Sequence, residues 1–167
     1  MSAASRNVFG AALAAAIFVA AGAAAAFEFK PWGRGAFADL RKAHAGKPLI
    51  VHFWSVTCPP CLAELPDWAK LVRERKDVTI IFVDTDPEGD RPRAAARLEK
   101  TGLVDAVHYA FADSFAERLY FEADKGWRGE LPFTALIGAD GAQETVTGAL
   151  DDPAMTDWLG KLAKSRK

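Results

Sequence analysis

The chain has 167 residues and a mass of 18.0 kDa, the size of one ordinary domain. Half of it is hydrophobic and 26% is charged, which excludes a disordered or fibrous chain. The 21 basic and 22 acidic residues leave a formal charge of −1 with no basic stripe, which argues against nucleic-acid binding through charge, and two cysteines are too few to staple a miniature disulfide scaffold.

Residues 1–26 carry one charge, Arg6, ahead of an apolar run that starts at Val8 and ends in small alanines. This is the pattern of a secretory signal, so cleavage is expected after Ala26, leaving residues 27–167 as the folded domain. An uncleaved anchor is the alternative, because Val8 to Phe27 is about 20 apolar residues, roughly a bilayer's span, although most of them are weakly hydrophobic alanine. Either way the domain is exported, and a periplasmic, oxidising location is expected.

Beyond the leader, Phe37–Ala45 reads as a short helix broken by Gly46 and Pro48. Leu49–Trp54 (LIVHFW) is an apolar, β-rich run of the kind that fills a buried strand. From Pro59 to about Lys76 the apolar residues Leu62, Leu65, Trp68, Leu71 and Val72 recur near helical spacing, with Pro66 expected to kink the helix. Val78–Val83 is a second buried strand, and Arg91–Thr101 an amphipathic helix stopped by Gly102. Ser114–Phe121 is a shorter helix. Phe133–Ile137 and Glu144–Thr147 form a hairpin about Asp140-Gly141, and Pro153–Lys164 closes the chain as a helix. Strands alternating with helices, then a hairpin, predict an α/β domain with a central mixed sheet flanked by helices.

Both cysteines lie in one motif, Cys58-Pro59-Pro60-Cys61, directly after a predicted strand and at the start of a predicted helix. A sulfur at a helix N-terminus meets unpaired amides and the positive end of the helix dipole, which favour the thiolate. Proline at the first helical positions wastes no donor and presets φ. Cys61 lies one turn on, within reach of a disulfide. The pair reads as a cycling dithiol in which Cys58 attacks and Cys61 resolves the mixed disulfide. A static disulfide would close too small a loop to remove much chain entropy. Zinc would need two further ligands, and Leu62 stands where a covalent haem motif needs His, so no cofactor is expected.

The run Val51-His52-Phe53-Trp54-Ser55-Val56-Thr57-Cys58-Pro59-Pro60-Cys61 resembles the active-site strand and turn of thioredoxin-fold proteins. Its continuation Leu62-Ala63-Glu64-Leu65-Pro66 resembles the C-x-x-E-x-P segment of the TlpA/ResA/DsbE-like branch, whose members are exported thiol-disulfide oxidoreductases. Val78–Asp84 is similar to the branch's second core strand, and Leu131-Pro132-Phe133-Thr134 to the segment around its cis-proline. The resemblance covers about residues 36–164. It implies a cis Leu131–Pro132 bond beside the disulfide, where backbone groups can pair with a substrate strand. It also implies protein disulfides as substrates, handled in the reducing direction, such as cysteines awaiting haem in cytochrome c maturation or cysteines of copper sites. A membrane donor would then supply the electrons.

Two residues depart from that pattern. Thr57 replaces a large aromatic before the first cysteine. His52 stands where related strands carry Asp or Asn, placed to accept a proton from Cys61; a hydrogen-bonded core His is the plainer reading. Glu64, one turn past Cys61, tunes the thiols, contacts a partner or is a solvated helix residue. Trp127, Arg128 and Glu130 precede the proline and are candidates to line a substrate groove, whereas Trp54 and Trp68 read as core. The acidic stretch Asp84 to Asp90 mimics the start of a calcium loop, but Ala95 occupies the position of its bidentate Glu, so a solvated loop is expected. His44 and His108 read as surface residues. Three other readings remain open at this stage. One is a disulfide-introducing oxidase, although Pro87 to Gly126 is short for the inserted helical domain. Another is a Sco-like copper-binding chaperone, whose cysteines lie one residue further apart and for which His108 is the nominal third ligand. The last is a peroxidase, for which Ser55 is a partial match.

Overall fold

A computed structural model describes residues 28–164 of the chain. The signal or anchor expected over residues 1–26 lies outside the described residues.

Six strands form one sheet in the order β1-β4-β3-β2-β5-β6. They are β1 (Lys30–Trp32), β2 (Leu49–Trp54), β3 (Thr79–Asp84), β4 (Val107–Phe111), β5 (Phe133–Ile137) and β6 (Gln143–Thr147). The pairs β1–β4, β4–β3 and β3–β2 are parallel, and β2–β5 and β5–β6 are antiparallel, so the sheet is mixed as expected. Five helices cover it: α1 (Ala36–Ala43), α2 (Pro59–Glu74), α3 (Arg91–Thr101), α4 (Ala116–Ala123) and α5 (Pro153–Lys164).

The central strand β2 is buried along its whole length, as a strand covered on both faces must be. Its side chains alternate between two cores. Ile50 and Trp54 point to the face packed by α2, α3 and α5, with Leu65, Trp68, Leu98 and Trp158. Leu49, Val51 and Phe53 point to the face packed by α1 and α4, with Phe37, Leu40, Leu119 and Trp127. α2 runs through Pro66 as a single 16-residue element, with Pro66 on its exposed side. α3 stops at Gly102, whose φ of 75° lies in the left-handed region that only glycine adopts without strain.

Three features depart from the sequence reading. β1 and β4 were both unexpected, and each is short. β1 has three residues on the edge of the sheet, with only Trp32 buried. His108 on β4 is buried rather than superficial, stacked on Phe82 with Nε2 2.7 Å from the Leu103 carbonyl. The acidic stretch is a solvated loop only in part: Pro87, Glu88 and Gly89 are exposed, but Asp84 ends β3 with no exposure and Asp86 is 4% exposed. These carboxyls face inward because they serve neighbouring polar groups, described below.

Ile81 lies in the middle of β3 at 1% exposure and packs against the α1–α4 side. Ile81→Ala should cost about 2–5 kcal/mol of unfolding free energy, read from urea titration, whereas Val104→Ala at an exposed site should stay within about 0.5 kcal/mol. Equal effects would contradict this core.

Candidate active site

The site is built where β2 ends and α2 begins. Ser55, Val56 and Thr57 make the turn, and Cys58 caps the helix with an extended backbone, φ −99° and ψ 102°. A helix start leaves its first amides without intrahelical acceptors. Here the first two positions are Pro59 and Pro60, which carry no N–H. The first amide of α2 is therefore that of Cys61, and it donates to Cys58 Sγ at 3.2 Å. The Leu62 amide then closes on the Cys58 carbonyl at 3.1 Å. The Cys58 sulfur thus faces one donor and the positive end of the helix, an arrangement that favours a thiolate whenever the disulfide is open.

Cys58 and Cys61 are joined in a disulfide. Cys58 is 8% exposed and Cys61 is fully buried, so a partner arriving from solvent meets Cys58 first. The Leu131–Pro132 bond is cis, in agreement with what the resemblance implies. Pro132 is buried immediately before β5, and Leu131 packs on both cores, one of which contains the two cysteines.

Under the dithiol lies a buried polar layer. His52 sits mid-strand at 0% exposure, with its ring 4.4 Å from that of Trp68 and 5.8 Å from that of Phe82. Its Nδ1 is 3.0 Å from the hydroxyl of Thr134, the residue directly opposite it in the β2–β5 pairing. Its Nε2 lies 3.3 Å from Glu64 Oε1, off the line of a formed hydrogen bond. Glu64 is buried on the inner face of α2 beside Cys61 and Leu65, which corrects the solvated alternative. Its other oxygen accepts the Leu150 amide at 2.7 Å. Complete burial pushes His52 down to about 3, so the imidazole is neutral at physiological pH. Burial pushes the Glu64 carboxyl up, and the Leu150 amide and the Trp68 side chain pull it back only in part.

The other candidates fall elsewhere. Trp127 belongs to the core rather than a groove: it is 3% exposed, stacks on Phe133 with ring centroids 4.2 Å apart, and donates from Nε1 to the Glu130 carbonyl. Arg128 and Glu130 are exposed, and the Arg128 amide donates to the Glu130 carboxylate. His44 is half-buried with Nδ1 2.9 Å from the Leu40 carbonyl, at the end of α1. Ser55 is engaged by the Asp86 carboxylate at 2.6 Å. Among the described residues no group of three or more His, Cys, Asp or Glu side chains is placed to hold a metal ion.

Thr134, the Leu150 amide and Asp86 were missed in the sequence. Thr134 was within reach of inference, since it follows Pro132 by two on a strand expected to flank LIVHFW. Nothing in the sequence signals the Leu150 amide.

No family model matches the chain, and no curated relative matches it. Solved structures do. A secreted Mycobacterium tuberculosis disulfide oxidoreductase homologous to Escherichia coli DsbE aligns at 20% identity and a TM-score of 0.55, over 74% of this chain and 85% of that one. A thiol-disulfide isomerase from Corynebacterium glutamicum aligns at 18% identity and 0.59, over 73% and 84%. The surface-exposed lipoprotein thioredoxin of Streptococcus pneumoniae aligns at 20% identity and 0.55, over 74% and 88%. The fold is therefore that of thioredoxin, shared with this disulfide oxidoreductase, this thiol-disulfide isomerase and this lipoprotein thioredoxin.

The burial of His52 has a measurable sign. Below pH 6.5 the unfolded chain takes up a proton that the folded imidazole refuses until about 3, so stability is lost as pH falls through that window. His108, held down to about 4 chiefly by burial, adds a loss of the same sign. In His52→Gln the pH dependence of the urea midpoint between 6.5 and 4 should weaken by about one proton. An unchanged slope would mean that His52 protonates in the folded protein.

Proposed function

We propose that the protein is an exported thiol-disulfide oxidoreductase that reduces disulfides of client proteins. The observation that carries the reading is the Cys58 sulfur held at the start of α2 against the Cys61 amide, with its partner sulfur buried behind it. The Cys58 thiolate attacks a client disulfide, forms a mixed disulfide and expels one client thiolate. Cys61 then loses its proton and attacks Cys58 Sγ, which releases the second client thiolate and leaves the Cys58–Cys61 disulfide. Two electrons have passed to the client, whose two thiolates take up protons from Cys61 by way of its acceptor and from solvent, so a thiol donor at the membrane must restore the dithiol.

The proton of Cys61 needs an acceptor in a dry setting. Glu64 on the same helix face and His52 beneath it are proposed as that acceptor, Glu64 taking the proton while the Leu150 amide holds its carboxyl and His52, set by Thr134, lies 3.3 Å away. Its upward shift brings Glu64 toward the thiol's own range, which suits a base that must both accept and return a proton. The cis Leu131–Pro132 segment is proposed to pair with the client backbone beside the sulfur.

Export is supported by the leader pattern of residues 1–26 and by the secreted and surface-exposed neighbours. The reducing direction, with cytochrome c or copper-site cysteines as clients, rests on the resemblance in the C-x-x-E-x-P segment. Its test is the reduction potential of the Cys58–Cys61 couple, equilibrated against a graded thiol buffer. A value near about −270 mV supports a reductant, and one near about −120 mV makes the protein an oxidase.

Cys58→Ser should abolish disulfide exchange. Cys61→Ser should arrest it as a mixed disulfide through Cys58, visible by mass spectrometry. Glu64→Gln should prolong the mixed disulfide about tenfold or more at neutral pH, measured by rapid quench. An unchanged lifetime in both Glu64→Gln and His52→Gln would remove this pair from proton transfer.

A further inference from the structure

The turn that delivers Cys58 does not hold itself. Two of its three residues, Ser55 and Val56, are gripped by one buried side chain, Asp86, two residues past the end of β3. Asp86 Oδ1 accepts the Ser55 hydroxyl at 2.6 Å, and Oδ2 accepts the Val56 amide at 2.6 Å. With its own proton given to Asp86, the Ser55 oxygen is left as an acceptor. It takes the Thr57 amide at 2.9 Å and lies 2.7 Å from the Thr57 hydroxyl, whose proton is thereby turned back toward Ser55. The Cys58 amide closes the same turn on the Ser55 carbonyl at 3.3 Å. Asp86 is itself fixed by its amide, which donates to Asp84 Oδ1 at 3.0 Å.

We propose that Asp86 is a positioning residue for the nucleophile, holding Ser55 to Thr57 so that the Cys58 sulfur stays on the Cys61 amide. It touches no reacting atom. It acts through two short bonds to the turn, and the turn sets the one donor that stabilises the thiolate. Two contacts at 2.6 Å from one carboxylate to adjacent residues leave the turn little freedom, and hydrogen bonds to a charged acceptor are the strong ones. The arrangement also gives Thr57 a purpose. A large aromatic at that position could not return a hydroxyl to Ser55, so the unusual residue before the first cysteine completes the chain of bonds that starts at Asp86.

The charge of Asp86 works against the thiolate while its grip works for it, so the test must separate the two. Asp86→Asn and Asp86→Ala carry the same charge. Only Asn can still bond the Val56 amide through its oxygen and the Ser55 oxygen through its nitrogen. The other titratable and charged groups around Asp86 are Asp84 and Arg91 behind it, with Glu88 and Asp113 on the rim of a cleft of ≈ 570 Å³ that Asp86 lines, and both variants leave them in place.

The inference rests on Cys58 being the attacking thiol, and its readout needs no client. The thiolate of Cys58 is titrated by ultraviolet absorbance in a Cys61→Ser background, which leaves one thiol and keeps the amide at position 61. The expected result is a Cys58 pKa about one unit higher in Asp86→Ala than in Asp86→Asn, a tenfold loss of thiolate at a given acidic pH, the size of one hydrogen bond to a charged group. Ser55→Ala, which keeps the Asp86 charge, should raise it in the same direction, and adding it to Asp86→Ala should raise it no further. Equal pKa values in the two Asp86 variants would overturn the proposal, because a merely structural carboxylate lowers the melting temperature without moving the thiol. Should Asp86→Ala fail to fold, Ser55→Ala against the parent gives the same comparison, and an unmoved pKa there overturns the proposal equally. A chain with no disulfide-exchange activity whose Cys58 pKa still follows Asp86 would sink the functional reading and leave the positioning role standing.

Discussion

One backbone amide, that of Cys61, is the hinge of the whole site. The sequence Cys58-Pro59-Pro60-Cys61 strips the N-terminus of α2 of its first two donors and leaves this one pointing at the Cys58 sulfur. The rest of the molecule places that contact. β2 is fixed between parallel β3 and antiparallel β5, and α2 packs Cys61, Leu65 and Trp68 into the core so that the helix cannot roll. β5 brings the cis Leu131–Pro132 segment to the strand that carries the motif.

Burial divides the labour between the sulfurs. Cys58 lies at the surface end of the contact, and Cys61 lies in the hydrophobic core, where its own thiolate has no solvent to stabilise it. That makes a nearby carboxyl the natural companion of Cys61. Glu64 stands there, raised by the same burial, with neutral His52 between it and Thr134. A neutral histidine in this layer avoids placing two carboxylates in one dry pocket. Asp84 shows what such burial does to an acid in this sheet. It is pushed up to about 8, mainly by desolvation, even with Arg91 3.7 Å away.

Much of this was legible before the structure, and the reasons are local. β2, α3, β5 and α5 begin and end where predicted, because each is long or bounded by a proline, a glycine or the CPPC turn. β1 and β4 were not legible. Lys30–Trp32 is too short to show alternation, and Val107–Phe111 follows a helix end in a stretch without a turn signal of its own. The dithiol and the proline before β5 stand out by residue type alone. His52 and Glu64 were visible as residues but not as a pair, since they meet only across a strand and a helix. Asp86 was misread because a run of acids beside proline and glycine looks solvated. Its burial follows from the Ser55 hydroxyl and Val56 amide that need an acceptor, and these lie 31 and 30 residues earlier in the chain. His108 was misread because β4 itself was not legible, and its ring stacks on Phe82 while Nε2 meets the Leu103 carbonyl.

The central claim is that the amide at the head of α2 makes Cys58 the thiolate of the pair. The direct measurement is alkylation of the fully reduced protein as a function of pH, with each cysteine read separately by peptide mass. Cys58 should react with an apparent pKa below about 7.5 while buried Cys61 stays unreactive until well above it. Both cysteines titrating together at about 8.5, the value of a free thiol, would contradict it.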